Sequence, residues 1–186
     1  MKKLLALSAL LGIVALSIGG LAVAEDEAQH GFIGSDGCKM CPKSEKKGDQ
    51  YGKWLESRHA QAYVTLASEE AAAAAAAAGI EGSPQEADAC LSCHVTGHGV
   101  AAELLGKKYK VEDGVGCESC HGAGADYKSK SVMQDRDASI AAGMIVPTEE
   151  TCTGCHNENS PTFKGFDYEK MLAEIAHPYP AEAKGE

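Results

Sequence analysis

The stretch that decides the fold is Cys90-Leu-Ser-Cys93-His94, which recurs as Cys117-Glu-Ser-Cys120-His121 and as Cys152-Thr-Gly-Cys155-His156. Cys-x-x-Cys-His is the attachment motif of c-type haem. Cysteines three residues apart lie on the same side of a helical turn, so both thiols can reach the vinyl groups along one porphyrin edge. The histidine that follows can then ligate the iron. Three copies in a chain of 186 residues predict several haems.

Two other chemistries use paired cysteines. Zinc sites are also built from Cys-x-x-Cys pairs, but adjacent cysteine and histidine side chains cannot easily bind the same zinc ion. The eight cysteines could instead form disulfides. A disulfide framework leaves the histidine after each of the three pairs unexplained, so the pattern favours haem.

A further pair, Cys38-Lys39-Met40-Cys41-Pro42, has proline where the haem motif has histidine. Proline cannot ligate iron, and three interpretations remain open. In the first, the haem is absent and an oxidising compartment closes the cysteine pair as a disulfide. In the second, a haem is attached and its iron takes a substitute ligand such as Lys43. In the third, Pro42 reflects a recent loss in a four-haem protein. We predict three firmly ligated haems, with the site at Cys38 and Cys41 empty or abnormal.

Four histidines outside the motifs are candidates for the second axial iron ligand: His30, His59, His98 and His177. A helix is predicted over residues 50–66, because apolar residues recur there at spacings of three and four. His59 lies on the apolar face of that helix. An isolated histidine on such a face can simply be a packed core residue, but in a chain rich in haem motifs we interpret it as a ligand.

His177 follows a predicted helix that Asp167 caps, and it directly precedes Pro178. We interpret His177 as a second distal ligand. His98 is too close to His94 along the chain to reach the opposite face of the same iron. It therefore serves a neighbouring haem or lies at the surface.

Capping signals predict where three further helices begin. Ser68 can cap an alanine-rich helix that Gly79 ends. Ser83-Pro84-Gln85-Glu86 has the pattern of a capping box and predicts the start of the helix that carries Cys90. Pro147-Thr148-Glu149-Glu150 predicts the start of the helix that leads into Cys152.

The N-terminus has the pattern of a secretory signal peptide. Lys2 and Lys3 precede an apolar run over residues 4–21, and Ala22-Val23-Ala24 is a small-residue cleavage site. An uncleaved membrane anchor is the alternative, and no other run is long and apolar enough to span a bilayer. We expect a signal peptide over residues 1–24, a single multihaem domain over residues 25–186, and a periplasmic or extracellular location.

The composition is acidic and poor in aromatic residues. Lys and Arg number 17 against 27 Asp and Glu, which gives a formal net charge of −10. Such a surface repels nucleic acid and suits a basic partner. Aromatic residues make up only 5% of the chain, so we expect buried porphyrin to supply the missing apolar core and folding to depend on the cofactor.

The run His94-Val-Thr-Gly-His-Gly99 and the run Gly114-Val-Gly-Cys-Glu-Ser-Cys-His-Gly122 resemble the cytochrome c-554 family. Trp54 and Arg58-His59-Ala60, which follow the first cysteine pair, add to the resemblance, which covers most of the chain after the signal peptide. It implies a small, mostly helical tetrahaem protein of the periplasm that transfers electrons. It also implies haems packed in pairs, mostly with two histidine ligands each, and one iron with an open side.

The resemblance supports His94, His121 and His156 as proximal ligands and His59 as a distal one. The chain departs from the family pattern in two places. Pro42 replaces the proximal histidine of the first motif, and no histidine lies between the last two Cys-x-x-Cys-His motifs, where family members can carry a distal ligand.

The predicted fold is mostly α, with short helices and loops around a haem core and little or no β structure. The predicted function is electron transfer between redox partner proteins, with no nucleic acid and no membrane span after signal removal. One alternative is an enzyme that reduces a small nitrogen or sulfur compound at an open iron, although the chain has no Cys-x-x-Cys-Lys motif. Another is an oligomer or filament, in which a histidine such as His30 ligates iron in the next subunit.

Overall fold

The computed structural model describes residues 30–40 and 48–177. The predicted signal peptide, Cys41 and Pro42 lie outside the described residues. Short helices joined by turns make up this part of the chain. The α-helices are α1 (Gln50–Leu55), α2 (Ala62–Thr65), α3 (Glu69–Ala77), α4 (Asp88–His94), α5 (Cys117–His121), α6 (Lys130–Met133), α7 (Arg136–Ala141), α8 (Glu149–Thr153) and α9 (Tyr168–Ile175).

The described residues also form 3₁₀-helices at Ser35–Met40, His59–Gln61, Ala102–Leu104 and Val111–Asp113. Within the described ranges, extended pairing is limited to one isolated parallel bridge between Phe32 and Leu105. The Phe32 N–H donates to the Leu104 carbonyl at 2.7 Å, and the Gly106 N–H donates to the Phe32 carbonyl at 2.7 Å. The prediction of a mostly α fold is confirmed.

The prediction of one continuous helix over residues 50–66 is wrong. Helix α1 ends at Leu55, and the chain resumes as a 3₁₀-helix at His59–Gln61 before α2 begins. The Ser57 hydroxyl donates to the Trp54 carbonyl at 2.6 Å, and such local side-chain bonds compete with the helical pattern. The His59 carbonyl instead accepts the Val115 N–H at 3.0 Å, so the break ties His59 to the approach to the second haem motif.

The helix starts predicted at Ser68 and at Asp167 are confirmed. Ser68 accepts the Ala71 N–H at 3.1 Å, and Asp167 accepts the Lys170 N–H at 3.1 Å. The helix predicted to start at Ser83 begins instead at Asp88. The Glu86 N–H donates to the Ser83 carbonyl at 2.9 Å and closes a separate turn before the helix.

The protein part of the core is thin. The buried apolar side chains of the described residues are Ile33, Trp54, Ala60, Leu66, Ala75, Val95 and Tyr127. Several large apolar side chains are instead exposed to solvent, such as Leu55 at 51% exposure and Ile145 at 50%. This distribution agrees with the expectation that a cofactor provides much of the buried apolar surface.

Trp54 links α1 to the segment before α5. It is 7% exposed, and its indole N–H donates to the Val115 carbonyl at 2.8 Å.

Replacing Trp54 with Phe should lower the free energy of unfolding by about 1–3 kcal/mol, because a buried carbonyl loses its donor and a small cavity forms. Chemical denaturation followed by circular dichroism would measure this loss. The control is Leu55→Ala on the same helix, where exposure predicts a change within about 0.5 kcal/mol; equal losses would contradict the role of Trp54.

Candidate haem-binding site

The three Cys-x-x-Cys-His motifs occupy short helical turns. Helix α4 ends with Cys90, Cys93 and His94, and helix α5 consists of the second motif. In the third motif Cys152 lies in α8, and the turn continues past the helix end, since the His156 N–H donates to the Cys152 carbonyl at 2.9 Å. Each motif therefore presents its thiols and its imidazole from one turn of backbone, as haem attachment requires.

The structure brings His59 and His156 together as the first imidazole pair. Their ring centroids lie 6.0 Å apart, with an angle of 66° between the ring planes. Phe166 stacks on the His156 ring at 5.0 Å and 17°, which fixes the orientation of that ring. A distal candidate thus lies beside the histidine of the third motif.

His121 and His177 form a second pair of the same kind. Their centroids lie 5.9 Å apart, with the ring planes at 68°. The residues that follow helix α9 carry His177 to the histidine of the second motif. The chain is held there by hydrogen bonds from the Lys53 ammonium to the Ala176 carbonyl at 3.3 Å and from the Gln50 amide to the His177 carbonyl at 3.5 Å.

The spacing within both pairs would allow each pair to hold one iron between its two imidazoles. A metal–nitrogen bond of about 2 Å would place each ring centre about 3 Å from the metal, which agrees with centroids about 6 Å apart. Within the described residues, no group of three His, Cys, Asp or Glu side chains is arranged to hold a metal ion.

The second ring nitrogen of three histidines is already engaged by backbone. The Nδ1 atoms of His94, His121 and His177 lie 2.8, 3.3 and 2.9 Å from the carbonyl oxygens of Ala62, Ile145 and Ile175, respectively. A histidine that ligates a metal usually donates its other ring N–H to a carbonyl or carboxylate, which fixes the tautomer. These bonds leave Nε2 as the nitrogen for iron.

Burial favours the neutral form of one imidazole in each pair, His59 and His121. It lowers the pKa of His59, and the charge of the neighbouring His156 acts in the same direction. Burial also lowers the pKa of His121. The hydrogen bond to the Ile145 carbonyl acts against this shift, and the neighbouring His177 adds to it. A neutral imidazole offers a lone pair to a metal, whereas an imidazolium does not.

His94 has a different environment from the other motif histidines. Its Nδ1 bond to Ala62 orients it as a ligand, but among the ring contacts of residues 30–40 and 48–177 it is not paired with a second imidazole. Among the described residues, a second imidazole therefore lies beside His121 and beside His156, and no such ring contact is found at His94.

His30 and His98, the other two distal candidates, each lie against a carboxylate. His30 Nδ1 lies 2.5 Å from Asp126 Oδ2, and His98 Nε2 lies 3.0 Å from Asp88 Oδ1. Neither takes part in the two imidazole pairs. Their role as iron ligands stays a prediction.

Thiols of different motifs lie close together. Cys38 forms a hydrogen bond with Cys117, which lowers the pKa of Cys117, and Cys93 lies in contact with Cys155. Burial, together with the neighbouring Cys93, raises the pKa of Cys155 to about 11. Cys120 of the second motif also lies near Cys152 and Cys155 of the third. Cysteines of all three haem motifs are therefore close to one another, and Cys38 adjoins them through Cys117.

Glu118, the second residue of the motif at α5, was not identified from the sequence. It is 4% exposed, and its carboxylate accepts the N–H groups of Ile33 and Gly34 at 2.8 Å each and that of Gly124 at 2.6 Å. These bonds hold the 3₁₀-helix that contains Cys38 against α5. The variable positions of Cys-x-x-Cys-His carry no signal of such a role.

Glycines lie on both sides of the second motif. The structure shows that they allow close approach of backbone. Gly114 has a φ of +64°, and a side chain there would lie 2.8 Å from the His59 carbonyl oxygen. A side chain at Gly116 would collide with the Ser35 hydroxyl. These contacts pack the 3₁₀-helices at Ser35–Met40 and His59–Gln61 against the start of α5.

The described residues contain no helix with both the length and the apolar character needed to cross a bilayer.

Comparisons with known proteins show similarity to a cytochrome family. Residues 37–122 match the family described as "Cytochrome c554 and c-prime". The chain is 28% identical over 171 residues to cytochrome c-554 of Nitrosomonas europaea, and the match covers 83% of this chain and 70% of the relative. No solved structure matches the chain. The chain is therefore similar to the cytochrome c-554 family, and this similarity supports a c-type cytochrome of electron transfer with covalently bound haem.

Proposed function

We propose that this chain is an exported periplasmic electron carrier with three covalently bound haems, attached at Cys90/Cys93, Cys117/Cys120 and Cys152/Cys155. The observation that carries this proposal is the presence of two imidazole pairs, His59 with His156 and His121 with His177, at centroid distances of 6.0 and 5.9 Å. Each pair joins a motif histidine to a histidine from a distant segment. Haem iron supplies one-electron oxidation and reduction when it is bound.

The paired histidines favour a carrier over an enzyme. Imidazoles that occupy both axial positions leave no coordination site for a substrate, so electrons are the only species such a site exchanges with a partner. The contact between Cys93 and Cys155 supports close packing of two of the haems, since neighbouring thiols attach neighbouring rings. The acidic surface, with 27 acidic against 17 basic residues, suits basic redox partner proteins.

His94 supports a second candidate function. The orienting bond to Ala62 fits a proximal ligand, and the described ring contacts give it no imidazole on the other side. A haem with one axial ligand could bind a small nitrogen or sulfur compound. A reductase activity at this motif is therefore the alternative to a pure carrier. An oligomer or a filament stays a further alternative, for which His30 would be the exchanged ligand.

The pair Cys38 and Cys41 remains part of the proposal as an empty or abnormal fourth site. Cys38 lies against Cys117, so the place where a haem would be attached is adjacent to the haem of the second motif. Pro42 offers no ligand there. The intact mass of the native protein is expected to correspond to three haems, and a mass with four haems, all six-coordinate, would contradict this part of the proposal.

Removal of a distal histidine tests the assignment of the pairs. His59→Ala and His177→Ala should each convert one low-spin haem to high spin, because one axial position opens. Electron paramagnetic resonance of the fully oxidised protein would count the low-spin haems, and intact mass would confirm that all haems stay attached. The control is Gln134→Ala, at an exposed residue that is no ligand candidate, which should leave the low-spin count unchanged. A low-spin haem lost in the control and kept in both pair variants would overturn the assignment.

A further inference from the structure

A cleft of about 480 Å³ adjoins the third haem motif. Its walls combine four kinds of group: a thiol, an imidazole, apolar side chains, and polar or cationic side chains. The lining residues are Arg58, Cys155, His156, Ser160, Thr162, Phe163, Lys164, Gly165 and Met171. The volume is in the range of clefts that hold a small molecule or cofactor.

The proposed function accounts for only part of this lining. Cys155 and His156 belong to the attachment motif, and Phe163 and Met171 offer apolar surface to a porphyrin. Arg58 and Lys164 are the two cations of the cleft. Both are exposed, and neither forms an ion pair with a carboxylate of the described residues. The chain has many more acidic than basic residues, so two cations without a carboxylate partner in one cleft indicate an anionic ligand.

The propionates of haem are anions that match the two cations of the cleft. A porphyrin attached at Cys155 has thioether bonds along one edge and two propionate carboxylates elsewhere on its rim. The cleft offers hydroxyls at Ser160 and Thr162 in addition to the two cations. Arg58 also directly precedes His59, whose ring lies 6.0 Å from that of His156. One turn of chain therefore supplies both an iron ligand and a cation at the same cleft.

We propose that Arg58 and Lys164 bind the propionates of the haem attached at Cys152 and Cys155. This inference rests on the proposed function, since it requires a haem at the third motif. Positive charge beside a haem stabilises the reduced state relative to the oxidised state, because reduction adds an electron. The two side chains therefore raise the reduction potential of this haem above the value that its ligands and burial alone would set.

Spectroelectrochemical titration of the holoprotein tests the proposal. The double variant Arg58→Gln/Lys164→Gln should shift the midpoint potential of one haem to a more negative value and leave the others nearly unchanged. The double variant Arg58→Lys/Lys164→Arg keeps both charges and should retain most of the original potential. The matched control is Lys128→Gln/Arg136→Gln, which makes the same change of charge at exposed positions outside the cleft.

The outcomes separate this inference from the proposed function. An intact mass without a haem at the third motif in the native protein would overturn the proposed function. The haem count could instead be native, with the potential shifted equally in the cleft variant and in the control. That result would overturn only the role of Arg58 and Lys164. If the double variant loses the haem, the potentials of the single variants Arg58→Gln and Lys164→Gln are measured instead. An unchanged midpoint potential in both single variants would also overturn the inference.

Discussion

Protein without haem should not unfold cooperatively, because the chain alone buries too little apolar surface and its helices are too short. The longest α-helix of the described residues is α3, with nine residues, and α2 and α6 have four each. Isolated helices shorter than about 12–15 residues are marginal in water. Only seven apolar side chains are buried in the same part of the chain, so the missing stabilisation has to come from porphyrin.

The variant that tests this carries Ser at all six cysteines of the Cys-x-x-Cys-His motifs. Its far-ultraviolet circular dichroism should show reduced helix and no sharp thermal transition, whereas the native holoprotein should show one. Cys38→Ser alone is the matched control and should keep the cooperative transition, because the proposal leaves that site empty or abnormal. A cooperative transition of the six-cysteine variant near the native temperature would contradict the dependence on haem.

Features set by neighbouring residues could be predicted from the sequence. The Cys-x-x-Cys-His motifs lie on helical turns, and the caps at Ser68 and Asp167 form as expected. In each case the atoms involved are within four residues of one another, so local chemistry decides the outcome. The mostly α fold follows from the same local signals.

Features set by distant segments could not be predicted. The helix expected over residues 50–66 breaks where Val115 bonds to His59, and periodicity within a window contains no information on such a contact. The sequence identified His59 and His177 as candidate ligands. It did not indicate that His59 lies beside His156 and His177 beside His121, since those pairings depend on how the turns pack.

Glu118 is the strongest example of such a contact. Its carboxylate accepts backbone N–H groups from two segments, one at Ile33 and Gly34 and one at Gly124. Nearby, the Thr96 hydroxyl accepts the Gly116 N–H at 2.6 Å and secures the start of the same motif. Backbone donors that are buried away from water need partners, and here a single side chain provides three of them.

Glu118→Ala should therefore lower the free energy of unfolding by about 3–5 kcal/mol, since each buried donor left without a partner costs about 1–3 kcal/mol. Glu118→Gln keeps the volume and one acceptor oxygen and should lose less, about 1–3 kcal/mol. Chemical denaturation of the holoprotein, followed by circular dichroism, would measure both. Glu103→Ala removes an exposed carboxylate and should change stability by no more than about 0.5 kcal/mol. Equal losses for Glu118→Ala and Glu103→Ala would show that the N-terminal segment is held against α5 by other contacts.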